Sequence, residues 1–237
     1  MTYEVSQETG ISPDFNRRYA LIFLLTVIAL VHLPSIIARI LWIEHGISKN
    51  DSVTFVVWPC LKLYLMLLCP ILLIHIKPEV ATFNCIWFQW KRSEFVKLPL
   101  LMIGMFLVAS VSYILFGILH LPKGIGWSPM SDHNSLFWTW TAIRIALLDP
   151  VAEEIFWRGY VQSTLSRISR PWIAIIGQAL LFGLLHFKPM AGTVQMCLIG
   201  LVFGIWCHKQ RTLLPIIIAH ITNNSIIVAP WLIRSFS

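Results

Sequence analysis

Long apolar runs broken by short polar stretches fill most of this chain. A membrane span needs about 20 mostly apolar residues. Seven runs qualify or come close: 19–43, 53–76, 98–119, 136–165, 172–187, 191–208 and 213–233. The fifth and sixth are short and are separated by the turn signal Lys188-Pro189-Met190-Ala191-Gly192. The fourth is interrupted by Asp149-Pro150, which reads either as a helix start, with Asp at the N-cap and Pro at the first helical position, or as a kink in one long helix. Backbone groups in hydrocarbon must be paired within the protein, and the alternation of barrel strands is absent, so the runs are predicted to be helices. The expected fold is an all-α polytopic transmembrane bundle of about seven spans. An eighth element, the aromatic stretch Phe83 to Trp90, is suited to lying flat at the interface.

The loops suggest an orientation. Arg17 and Arg18 precede the first run, Lys77, Lys91, Arg92 and Lys97 follow the second, Arg167 and Arg170 the fourth, and Lys209 and Arg211 the sixth. Alternate loops carry fewer basic residues. By the positive-inside rule this places the N-terminus in the cytoplasm and the C-terminus outside. The resulting division is a cytoplasmic tail at 1–18, a first group of helices at 19–135, and a helical core at 136–233.

Composition adds exclusions. Only 12% of the 237 residues are charged, half the share of a soluble domain, so no long polar segment remains for a soluble domain. The net charge of +7 is explained by the loops and does not imply nucleic acid. Five scattered cysteines, without CxxC spacing, indicate neither a disulfide framework nor a zinc ribbon. The first residues lack a secretory signal's basic start, so the first apolar run is expected to be a retained span.

Against this apolar background, a few polar residues stand out. The run Asp149-Pro150-Val151-Ala152-Glu153-Glu154-Ile155-Phe156-Trp157-Arg158-Gly159 puts two carboxylates at membrane depth, where ionisable groups are costly and are functional candidates by default. Glu154 and Arg158, four apart, can pair on one helix face. Glu153, about 100° round the helix, is free to point elsewhere and suits a general base for water. The bland alternative is a buried Glu-Arg pair with a second, snorkelling Glu. Phe182 and His186 share a face of the fifth run, where His186 can orient or deprotonate water and Phe182 packs. His220 and Asn224 share a face of the seventh and would suit an oxyanion hole; the alternative is an interhelical hydrogen-bond pair. Arg144, one turn before Asp149, either pairs with it or snorkels. Gly200 and Gly204 form a small-xxx-small packing pair. Depths estimated at 1.5 Å per residue bring Glu153, His186 and His220 into only loose agreement, His186 being the outlier.

Glu-Glu-x-x-x-Arg, Phe-x-x-x-His and His-x-x-x-Asn, in this order on successive apolar helices, resemble the CPBP family of CAAX prenyl proteases and bacterial Abi or bacteriocin-immunity relatives. The resemblance covers residues 140–230. It implies an intramembrane glutamate-type endopeptidase without a cofactor: Glu153 and His186 hold and activate water, His220 and Asn224 stabilise the oxyanion, and Glu154 and Arg158 shape the site. Two His and a Glu are also a zinc-ligand set, which makes zinc the alternative cofactor. The implied partners are membrane lipid and a protein or peptide substrate, lipidated or bearing a C-terminal sorting tail. The membrane expected is a prokaryotic plasma membrane. Competing readings are a non-proteolytic immunity or binding protein, and a proton-coupled transporter. The latter would call for paired broken helices, and the sequence has one candidate break.

Overall fold

The computed structural model describes residues 13–45, 52–76, 92–120 and 135–235. The stretch Phe83 to Trp90 and most of the N-terminal tail lie outside them. The described residues form seven helical runs, one for each apolar run of the sequence. They are α1 (Pro13–His45), α2 (Ser52–Ile76), α3 (Arg92–Ile118), α4 (residues 135–168), α5 (Pro171–Leu184), α6 (Met190–Gln210) and α7 (Leu214–Ser235). The protein is an all-α helical bundle.

The segments Arg17–Ile37, Phe95–Ile118 and Met190–Gln210 are each long and apolar enough to cross a membrane. Val57–Leu73, Pro171–Leu184 and Leu214–Pro230 are apolar but shorter. Large apolar side chains also cover the outside: Val96, Leu100, Ile103, Leu107, Val111, Ile114 and Ile118 on α3 are all more than half exposed. A face of this kind is stable against lipid and a liability in water. Length, hydropathy and the apolar exterior make this an integral membrane protein.

Helix α4 runs on through Asp149-Pro150, so the helix restart does not occur. Leu148, Asp149, Glu154 and Ile155 all keep right-handed helical dihedrals, and Leu148, not Asp149, holds the N-cap position, without a side-chain cap hydrogen bond. The helix absorbs Pro150 by widening. Arg144–Leu148 is a π-helical turn, in which the Asp149 N–H bonds to the Arg144 carbonyl five residues back. The wider turn gives room to a proline ring that would crowd an α-helical carbonyl. It also brings Arg144 and Asp149, five apart, onto one side, where Nη1 donates to Oδ2 at 2.6 Å. A second π-helical segment, Ile155–Gln162, follows the two glutamates and is buried throughout.

Helix α5 is shorter than the run that predicts it. It ends at Leu184, and the amides of His186 and Phe187 bond back only three residues, to Gly183 and Leu184. Phe187 turns left-handed at φ 50°, and Pro189 opens the way into α6. His186 therefore sits in the turn after α5 rather than on a helix face. Fourteen residues rise only ~21 Å, short of a ~30 Å hydrocarbon core. His186 stands where the helix stops, in the turn that leads into α6.

Helices α5 and α6 approach closely because glycines line their contact. A Cβ on Gly204 would lie 2.5 Å from Gln178 Nε2, and one on Gly183 would lie 2.8 Å from both the Cys197 amide nitrogen and the Thr193 carbonyl oxygen. The close approach lets Gln178 Nε2 reach the Gly200 carbonyl at 2.9 Å and Gln162 Nε2 the Gly204 carbonyl at 2.9 Å. Both are buried bonds between helices. Since backbone cannot yield as a side-chain tip can, Gly183→Ala is expected to cost about 1–3 kcal/mol. It should lower the thermal midpoint in detergent, whereas Gly104→Ala, with nothing within 4 Å of the added methyl, should not.

One feature of the cysteines escapes their spacing. Cys207, buried on α6, is disulfide-bonded, while Cys60, Cys69 and Cys197 are free thiols.

Candidate active site

The polar residues of α4, α5 and α7 meet inside the bundle. Glu153 is central, its side chain 12% exposed. Its Oε1 lies 3.9 Å from His186 Nε2, and its Oε2 lies 4.0 Å from His220 Nε2. Three segments far apart in sequence thus present one carboxylate and two imidazole nitrogens to a common point. A fourth group joins them from α2: Lys62 Nζ, 3.9 Å from Glu153 Oε1. The sequence reading passed over Lys62. Its signal was nonetheless present, since a lone lysine inside an apolar run is as costly there as a glutamate.

The imidazoles are held in defined tautomers. His186 Nδ1 donates to the Phe182 carbonyl at 2.5 Å, and its ring packs edge-on to Phe182 with centroids 4.5 Å apart. In neutral His186, Nε2 is then the acceptor, and it faces Glu153. His220 Nδ1 donates to Glu154 Oε1 at 2.7 Å, which likewise turns its Nε2 toward Glu153. A carboxylate that fixes a histidine in this way sets both ring orientation and tautomer.

Glu154 and Arg158 form the buried base of the site. Both side chains are fully buried, and Arg158 Nη1 donates to Glu154 Oε1 at 3.0 Å. The guanidinium lies between two aromatic rings, its carbon 4.4 Å from the centroid of Phe182 and 5.2 Å from that of Phe203. Phe182 therefore contacts both His186 and Arg158, and edge-on Trp157 backs it at 5.9 Å. Without Arg158, Glu154 would be an uncompensated charge in a dry interior; the pair supports it, with the aromatic faces adding cation–π attraction.

Asn224 has a structural partner: its Nδ2 donates to the Ile145 carbonyl at 2.9 Å. The π-turn explains why that carbonyl needs one. An α-helix would satisfy it with the Asp149 N–H, but that proton goes to Arg144, and the next candidate, Pro150, has no N–H. Asn224 completes the ladder from α7, one turn beyond His220, and ties the two helices together. The Nδ2 group retains a second N–H. Asn223 donates to Asn224 Oδ1 at 3.2 Å.

Other polar residues keep a packing role. His32, buried on α1, bonds to the Ile28 carbonyl at 3.0 Å and leans on Trp157. Among the described residues, no group of three or more His, Cys, Asp or Glu side chains is arranged to hold a metal ion.

Fold and site together define a helical membrane protein with a carboxylate–imidazole cluster enclosed by its helices, an arrangement suited to hydrolysis. Residues 134–226 match the family model described as type II CAAX prenyl endopeptidase Rce1-like. The core that carries every one of these residues except Lys62 is thus similar to the type II CAAX prenyl endopeptidases. No curated protein and no solved structure matches the chain.

Proposed function

We propose that the protein is an intramembrane endopeptidase that cleaves a peptide bond near the C-terminus, or in a membrane-associated segment, of a protein or peptide substrate, with Glu153 as general base. The observation that carries this reading is the position of Glu153, 3.9 Å from one imidazole nitrogen and 4.0 Å from another. A water bonded at ~2.8 Å to both a carboxylate oxygen and an imidazole nitrogen holds them about 4.0–4.6 Å apart. A tetrahedral zinc with ~2.0–2.1 Å bonds would draw them to ~3.4 Å. The spacing favours water.

The chemistry follows from the proton positions. Water donates one proton to Glu153 and the other to His186 Nε2, which leaves an oxygen lone pair for the substrate carbonyl carbon. As the C–O bond forms, Glu153 takes the proton and the carbonyl oxygen becomes an oxyanion. His220, oriented by Glu154, stabilises the oxyanion together with the second N–H of Asn224. Collapse breaks the C–N bond, and Glu153 returns its proton to the leaving amine. The products are a carboxylic acid, which keeps the second proton of the water, and an amine, and one water is consumed.

Lys62 is a positioning residue for Glu153, holding the carboxylate in place from 3.9 Å away. Replacing it with methionine is expected to lower kcat about 10-fold, or roughly 1.4 kcal/mol, with little change in KM, and Lys62→Arg should recover most of the loss. A rise in KM alone would instead make Lys62 a substrate contact.

The test of the function is cleavage of a quenched fluorescent peptide ending in a farnesylated CAAX sequence, alongside the same peptide without the lipid, by the purified protein in vesicles. Cleavage that survives a zinc chelator and disappears in Glu153→Gln supports the reading. Cleavage lost to the chelator and restored by added zinc supports the metal alternative. The proposed location is a prokaryotic plasma membrane, and the basic loops support an N-terminus in the cytoplasm.

A further inference from the structure

Arg158 has a second face. Nη1 is taken by Glu154, but Nε and Nη2 are fully buried without a hydrogen-bond partner. A buried guanidinium with two idle donors is costly unless something else completes it. The same side chain lines a cavity of ≈ 190 Å³ at the end of the bundle where α4 passes to α5 and α6 to α7. Around it stand Ser163, Ser166, Cys207, His208 and Arg211. Among the described residues the lining holds two arginines, a histidine and two serines, with the Ser163 hydroxyl already donating to the Arg158 carbonyl at 3.4 Å, and it includes no carboxylate. Gln162 also lines the wall, its Nε2 already held by the Gly204 carbonyl.

Local structure favours this use. Arg211 takes a left-handed conformation, φ 56°, that ends α6, and its N–H caps the Cys207 carbonyl at 2.8 Å. That carbonyl is therefore already occupied at the cavity's edge. Pro171, which also lines the cavity, begins α5 and brings the positive end of a helix dipole to the opposite wall. At this volume the space is below the range of drug-sized sites, roughly 300–1,000 Å³, yet several times the ~30 Å³ share of one water. The bundle end also carries Arg167 in the last turn of α4, Arg170 just before α5 and Lys209 in the last turn of α6, and such a basic rim attracts anions.

We propose that this cavity binds a phosphate-type oxyanion, from free phosphate or an anionic lipid headgroup, between Arg158 and Arg211. The anion takes up the idle donors of Arg158 and so holds the guanidinium against Glu154, which in turn orients His220. Occupancy at the bundle end is thereby linked to the candidate active site through one side chain.

Thermal unfolding of the full-length protein tests the site without any substrate, so its result is independent of the proteolysis proposal. In detergent, inorganic phosphate is titrated against sodium chloride of equal ionic strength. In parallel, vesicles of phosphatidylcholine are compared with vesicles containing phosphatidylglycerol. The expected result is a saturable rise of roughly 5 °C in the midpoint, lost in Arg211→Gln and reduced in His208→Gln. Both variants change exposed residues at the end of α6, so at least one should fold. A rise with phosphate identifies free phosphate as sufficient; a rise only with phosphatidylglycerol identifies a lipid headgroup. No rise in either arm, or the same rise in both variants, overturns the proposal.

Discussion

Glu153→Gln is expected to reduce peptide-bond cleavage by at least about 10³-fold while the protein remains folded. The side chains are isosteric, so packing is kept, but the amide can neither take a proton from water nor return one to the leaving amine. General base catalysis alone contributes about 10²–10⁴-fold, and here the same group serves both steps. Stability should change little. Glu153 keeps some exposure, and its nearest cation, Lys62, is 22% exposed at the side chain, so the unpaired lysine retains access to polar surroundings. Cleavage rates measured beside thermal midpoints separate the two effects. A variant that cleaves at the wild-type rate would remove Glu153 from the chemistry.

Glu154→Gln should act in the opposite way, on the fold first. Glu154 and Arg158 are both fully buried, and removing one charge of such a pair leaves the other uncompensated, at about 3–5 kcal/mol. The same substitution deprives His220 of the acceptor that orients it. The single variant is therefore expected to show a sharply lower unfolding midpoint and no measurable cleavage. Adding Arg158→Met removes the stranded cation, and the double variant should recover much of the midpoint, since apolar replacements of a buried ion pair are often neutral. It should not recover activity, because His220 remains unoriented. A Glu154→Gln protein as stable as wild type would show that Arg158 does not depend on this carboxylate.

The sequence revealed the helices well and their ends less well. Apolar run length located the seven helical runs of the described residues, because in hydrocarbon a helix is nearly the only way to pair the backbone. The pattern could not reveal what Pro150 does. Aspartate before proline is a sound start signal in water-exposed chains, but here the helix spends a wide turn to pass the proline, and the stranded Ile145 carbonyl is met by a side chain 79 residues away. The early end of α5 was masked by the apolar character of Leu184, Leu185 and Phe187. Pairs four apart were legible: Glu154 with Arg158 is an ion pair as expected, and Phe182 with His186 is a ring contact. Arg144 with Asp149 was one of two alternatives, and the π-turn decided it.

Contacts between helices were beyond reach. Nothing in the spacing joins Glu154 to His220 or Lys62 to Glu153, because these pairings depend on how the bundle closes. Asn224 shows the same limit. Its position four residues after His220 pointed to a shared face, but its use in completing the backbone of α4 appears only once the π-turn is known.

The central claim is that a carboxylate within the membrane, Glu153, activates water for proteolysis. The most direct test compares peptide termini in membrane fractions from cells making the wild-type protein or Glu153→Gln at equal levels. New termini found only with the wild type, clustered near the C-terminal ends or membrane-associated segments of a few proteins, are the predicted result. Identical sets of termini from the two, with both proteins folded and in their natural host, would contradict it.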